Sequence, residues 1–99
     1  MSFLKDLLDG RRRRARALEG RGDFRGAAGL YVDIGMPLEA GSALVHAGER
    51  AGTEAERDAA WIDALRVLPE SAADIRRSVE AKLGRAALGG QRQDADQKR

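Results

Sequence analysis

The chain has 99 residues, with 18 Lys and Arg against 16 Asp and Glu, a net charge of +2 and no cysteine. Disulfides, thiolate chemistry and Cys-based zinc sites are thereby excluded, and a chain of this size has material for one hydrophobic core. Alanine, leucine, arginine and glutamate dominate while aromatic residues make up only 4%, a balance that favours helices and argues against a sheet. Because 18 of the apolar residues are alanine, the expected core is thin and its helices closely spaced. Met1 to Asp6 shows no basic region ahead of a long apolar run, and no later stretch reaches the length that spans a bilayer. A cytoplasmic protein is the expectation.

Charge is unevenly placed. Residues 1 to 30 carry eight basic and four acidic side chains, residues 31 to 70 three and eight, and residues 71 to 99 seven and four. The chain therefore runs basic, acidic, basic.

Taken in order, Ser2 is a candidate N-cap, and Phe3, Leu4, Leu7 and Leu8 form an apolar stripe at i, i+3/i+4 spacing. Residues 1–10 read as an amphipathic N-terminal segment. Gly10 weakens the helix there, and the same phase continues through Arg11, Ala15 and Leu18 toward Gly20. Gly20-Arg21-Gly22 supplies a turn, because glycine takes the positive φ that helix C-caps require. Asp23 then caps a second helix over residues 23–35, with Phe24, Ala27, Ala28, Tyr31 and Ile34 facing inward.

Pro37 opens a third helix, whose packed face carries Leu38, Gly41, Leu44, Val45 and Gly48. The glycines at 41 and 48 predict close approach of another backbone. Thr53 followed by Glu56 reads as a capping box for a fourth helix, with Ala55, Ala59, Trp61, Ile62, Ala64, Leu65 and Leu68 inward and Pro69 as its stop. Ser71 and Asp74 repeat the device for a fifth helix, with Ala72, Ile75, Val79, Leu83 and Ala86 inward against Arg76, Arg77, Glu80, Lys82 and Arg85 outward. From 89 to 99 polar and charged residues predominate, which predicts a disordered tail.

One pattern recurs after thirty residues. Ala15, Leu18, Gly22, Asp23, Phe24, Ala27, Tyr31 and Pro37 are echoed by Val45, Gly52, Trp61, Ala64 and Pro69, with Tyr31 matching Trp61 and Asp33 matching Asp63. On these residues, covering roughly 11–69, the chain resembles the tetratricopeptide repeats (TPRs) and the wider TPR-like helical repeats. It departs from them in its shorter period, against 34 residues in the tetratricopeptide repeat, in Arg57 at a small-residue position and in Glu54 at an aromatic one. The resemblance implies an all-α, TPR-like stack of two helical hairpins plus a C-terminal capping helix over 11–88. It also implies a non-enzymatic adaptor that binds a partner protein in a groove lined by the first helix of each pair. Carried onto this chain, that lining is Arg11, Arg12, Arg14 and Arg16 with Ser42, His46 and Glu49, suited to an acidic peptide segment or a C-terminal carboxylate.

Two alternatives rest on the arginines. The run Arg11 to Arg14 with Arg16 fits a basic nucleic-acid-binding protein, although no aromatic residues interleave it to stack bases. Together with Phe3, Leu4, Leu7 and Leu8 it also fits a membrane-surface adaptor or a self-associating segment that makes a homo-oligomer. No catalytic or cofactor motif stands out. His46 is a lone histidine, Gly20-Arg21-Gly22 lacks the third glycine of a dinucleotide loop, and the carboxylates cluster near helix ends, where they act as caps. No enzyme activity, no metal and no cofactor are expected.

Overall fold

Glycine with positive φ shapes the first two turns. Gly22 sits at φ 85° and Gly35 at φ 74°, the left-handed conformation that lets a helix close its last carbonyls on the N–H groups beyond. Asp23 N–H donates to the Leu18 carbonyl at 2.8 Å, and Met36 N–H donates to that of Tyr31 at 2.8 Å. The next helix starts at once in each case: the Asp23 carboxylate accepts the Gly26 N–H at 2.9 Å, and Pro37 occupies a first-turn position that needs no donor. Thr53 caps in the expected way, its hydroxyl accepting the Glu56 N–H at 3.1 Å.

The computed structural model describes the backbone of residues 2–98 and the side chains of residues 3–85. Among the described residues there are five helices and no strand: α1 (Ser2–Gly20), α2 (Phe24–Asp33), α3 (Pro37–Glu49), α4 (Glu54–Val67) and α5 (Ala73–Lys98). The protein is all-α. The backbone of α5 is helical to Lys98, through the stretch 89–98 read as a disordered tail, while the side chains of Ala86 and of that stretch lie outside the described residues. None of the described helices is long and apolar enough to cross a membrane.

Each helix packs chiefly on its neighbours in sequence, α1 on α2, α2 on α3, α3 on α4 and α4 on α5. Short connections make consecutive helices antiparallel. The central cluster comprises Ala15, Ala27, Ala28, Tyr31, Ala40, Ala43, Leu44, Ala64 and Leu68. With alanine at most of these positions the helix axes come close, and the larger side chains fill the space between layers. Tyr31 and Trp61 are both buried, at 3% and 7% exposure, in keeping with their inward helical positions.

Several expectations are corrected by packing. Gly41 and Gly48 do face a close neighbour, but it is a side chain: a methyl at 41 would run into Leu68, and one at 48 into the Trp61 indole. The Trp61 ring lies across that gap and donates its Nε1–H to the Val45 carbonyl at 3.2 Å. The buried face of α4 runs through Ala60, Trp61 and Ala64; Ala59 is exposed and Ile62 is 43% exposed. Leu38 is 43% exposed as well, because it sits in the first turn of α3, at the edge of the packed cluster.

On α5, Val79 is buried, but Arg76 does not point away. Its Nη1 donates to the Leu65 and Leu68 carbonyls at 2.7 and 2.8 Å, which have no partner further along α4. Asp74 pairs with Arg77 at 3.1 Å, and α5 starts at Ala73, two residues past the expected Ser71 cap.

The apolar stripe of the N-terminal segment lies on α1. This element continues through Gly10 as one helix, yet its first buried residue is Ala15. Phe3, Leu4, Leu7 and Leu8 are 74%, 64%, 43% and 47% exposed. Their stripe has the phase of Ala15 and Leu18, which pack into the core, but among the described residues no other element covers it.

Candidate partner-binding groove

Asp23 starts α2 so that Phe24, its first residue, is half-buried beside the C-terminal half of α3. His46 and Glu49 of α3 and Arg50, which caps its C-terminus, meet there, since the last two lie three and four residues beyond His46. The Phe24 and His46 rings are 5.6 Å apart between centroids and tilted by 38°. The Arg50 guanidinium carbon lies 5.9 Å from the centre of the same ring, within the range of a cation–π attraction. His46 Nδ1 is 3.8 Å from the Glu49 carboxylate.

Across from this face, Arg16, Glu19 and Gly20 of α1 complete a cleft of about 600 Å3. Its floor is aromatic and its walls are charged, with Arg16, Arg50 and His46 set among Glu19 and Glu49. Behind the α1 wall lies Tyr31. Its hydroxyl pKa is raised above the ordinary 10.0, first by burial and then by the Glu19 carboxylate, while Arg16 pulls the other way.

The cleft continues on both sides. Past Arg50 a second depression of about 540 Å3 reaches Arg25, Glu56 and Ala60. Past Glu49 a third of about 520 Å3 exposes one edge of Trp61 between Arg57 and Lys82. These cations lie 5.2 and 5.5 Å from the indole ring. Adjoining depressions lined by residues of all five helices thus make one charged face, with the Phe24 and Trp61 rings set into it.

Of the seven residues anticipated as lining, Arg16, His46 and Glu49 come together in the cleft. Arg12 lies one turn from Arg16, and both border a shallow depression on α1 with Asp6, Asp9 and Arg13. Arg11, Arg14 and Ser42 line none of the described depressions: the arginines follow the phase of the apolar stripe, and Ser42 is half-buried on α3. Sequence reasoning placed Phe24 in the core and overlooked Arg50. The i, i+4 relation of His46 and Arg50 was the available signal, but its meaning depends on Phe24 arriving beside them.

Among the described residues no group of three His, Cys, Asp or Glu side chains is arranged to hold a metal ion. Charge-assisted hydrogen bonding and stacking are what the face offers. No protein-family model, no curated protein and no solved structure matches the chain.

Proposed function

We propose that the chain is a non-enzymatic, TPR-like interaction module acting in the cytoplasm, and that an extended, acid-rich segment of a partner protein lies in the α1–α3 cleft. The observation that carries this reading is the Phe24 ring held between His46 and Arg50 on the floor of that cleft. An aromatic platform flanked by guanidinium groups suits a peptide that presents a carboxylate next to an apolar or aromatic side chain: Arg16 and Arg50 take the carboxylate, and Phe24 takes the side chain. The cleft lies between the first helices of successive pairs, where a TPR-like groove is expected, and the sequential stacking of α1 to α5 supports the same assignment.

Panning a random-peptide display library on the full chain, beside an Arg16→Glu/Arg50→Glu variant, tests this reading. The expected result is enrichment of acid-rich peptides on the parent and its loss on the variant, with helix content unchanged in both. Equal enrichment on both proteins, or enrichment of basic peptides on the parent, would overturn it.

A further inference from the structure

We infer that the first half of α1 docks onto a second copy of this chain, in the apolar cleft between the start of α3 and the α4–α5 turn. Two unpartnered surfaces on the described residues fit each other. The first is the α1 stripe of Phe3, Leu4, Leu7 and Leu8, all exposed and followed in phase by Arg11 and Arg14, neither of which makes an ion pair among the described residues. The carboxylates of this stretch, Asp6 and Asp9, lie on the other side of the helix beside Arg12, Arg13 and Arg16. The stripe is thus apolar with a cationic end.

The second surface is a cleft of about 360 Å3 bordered by Leu38, Pro69, Ala72, Asp74 and Ile75. Its setting is acidic, with Glu39 next to Leu38, Glu70 next to Pro69 and Asp74 on the rim. Leu38 is exposed there with no large neighbour over it. The two surfaces lie at opposite edges of the stack, since α1 is its first layer and the α4–α5 turn its last. One chain does not join them; two chains do. A reciprocal exchange of α1 ends about a two-fold axis makes a closed dimer.

Charge selects this occupant over a bilayer. An anionic membrane would attract Arg11 and Arg14, but Asp33, Glu39, Glu70 and Asp74 point along the helix axes in the same direction as the start of α1, because the end of α2, the start of α3 and the α4–α5 turn alternate with it. A bilayer approached along the helix axes by that end would meet these carboxylates with like charge. A second copy instead sets the arginines against these carboxylates while the leucines fill the cleft.

The test is sedimentation equilibrium of the full chain over a range of concentrations. The expected mass rises from 10.7 kDa to twice that value. Leu7→Glu and Leu38→Glu, both at exposed positions that leave the fold intact by circular dichroism, each weaken the association at least ~10-fold. Arg11→Glu/Arg14→Glu and Glu70→Lys/Asp74→Lys variants each dimerise less well alone, and mixing the two restores a heterodimer. A chain that stays monomeric at every concentration, a mass that ignores Leu7→Glu and Leu38→Glu, or failure of the mixed charge reversals to associate overturns the inference. So does flotation of the monomer with phosphatidylserine vesicles that is lost in Leu7→Glu, which would make a bilayer the occupant. Arg16→Glu/Arg50→Glu leaves the mass unchanged, so failure of the peptide groove and failure of the dimer are separable.

Discussion

The joint between α3 and α4 and the first half of α1 use similar materials to opposite ends. In the joint, Gly41 and Gly48 receive Leu68 and Trp61, and the buried partners are mostly alanine. In α1, Gly10 has nothing within 4 Å, and one Phe and three Leu stand in solvent. Size and hydropathy would have buried the α1 residues first. What matters is whether a neighbour of the right length and rotation lies alongside, and short α2 does not cover the start of long α1. Burial belongs to the pair of surfaces and not to the residue.

That contrast can be broken most forcefully at Trp61. Trp61→Ala removes a ring that fills the Gly48 gap, leaves the Val45 carbonyl without its indole donor and releases Arg57 and Lys82. It should cost about 3–5 kcal/mol in urea unfolding, and a loss below 1 kcal/mol would mean that the joint collapses readily around the void. The reverse insult comes next. Gly48→Ala drives a methyl into the indole, and an overpacked site of this kind should lose about 1–3 kcal/mol. Wild-type stability in that variant would show that the Trp61 ring has room to slide.

At the other pole the effects should be small. In the isolated monomer, Leu7→Ala should change global stability by less than about 0.5 kcal/mol, as for an exposed position. Gly10→Ala should slow amide exchange in residues 3–9, because alanine favours helix over glycine, while leaving global unfolding within the same margin. A stability loss above 2 kcal/mol for Leu7→Ala would mean that the stripe is packed on its own chain.

The subtlest test concerns alkaline pH. The Tyr31 hydroxyl holds its proton more tightly in the folded chain than its ordinary value of 10.0. Its contribution is therefore fully present below pH 10 and is lost as pH rises toward the folded-state value, since the unfolded chain ionises first. Tyr31→Phe should leave that part of the profile flatter, with little change at neutral pH. Thermal unfolding from pH 8 upward, followed with the phenolate absorbance of this single tyrosine, would check it. Identical alkaline slopes for parent and variant would place the phenol in solvent.

The cleft shows the same division between what local pattern conveys and what packing adds. Arg16, His46 and Glu49 were named only through the resemblance to TPR-like repeats, which assigns the groove to the first helix of each pair. Phe24 was legible as an apolar residue at a helix start, though not as the floor of a cleft, and the i, i+4 relation of Arg50 to His46 took on meaning only where α2 brings Phe24 to it. Arg76 is a parallel case. Its spacing marks an outward face, yet it turns to the open carbonyls of α4 because α5 folds back over that end.

By itself the amino-acid sequence determined the all-α class, the turns at Gly22, Gly35 and Thr53, and the inward set Ala27, Ala28 and Tyr31. Each of these depends on φ preference, capping or periodicity within a few residues, and such local terms are nearly the same in any surroundings. The tertiary structure alone decided that Gly48 makes room for an indole, that Arg50 faces Phe24 and that the α1 stripe stays bare. Those outcomes depend on the relative lengths, rotations and offsets of helices distant in sequence, for which a single chain of residue types carries no local signature.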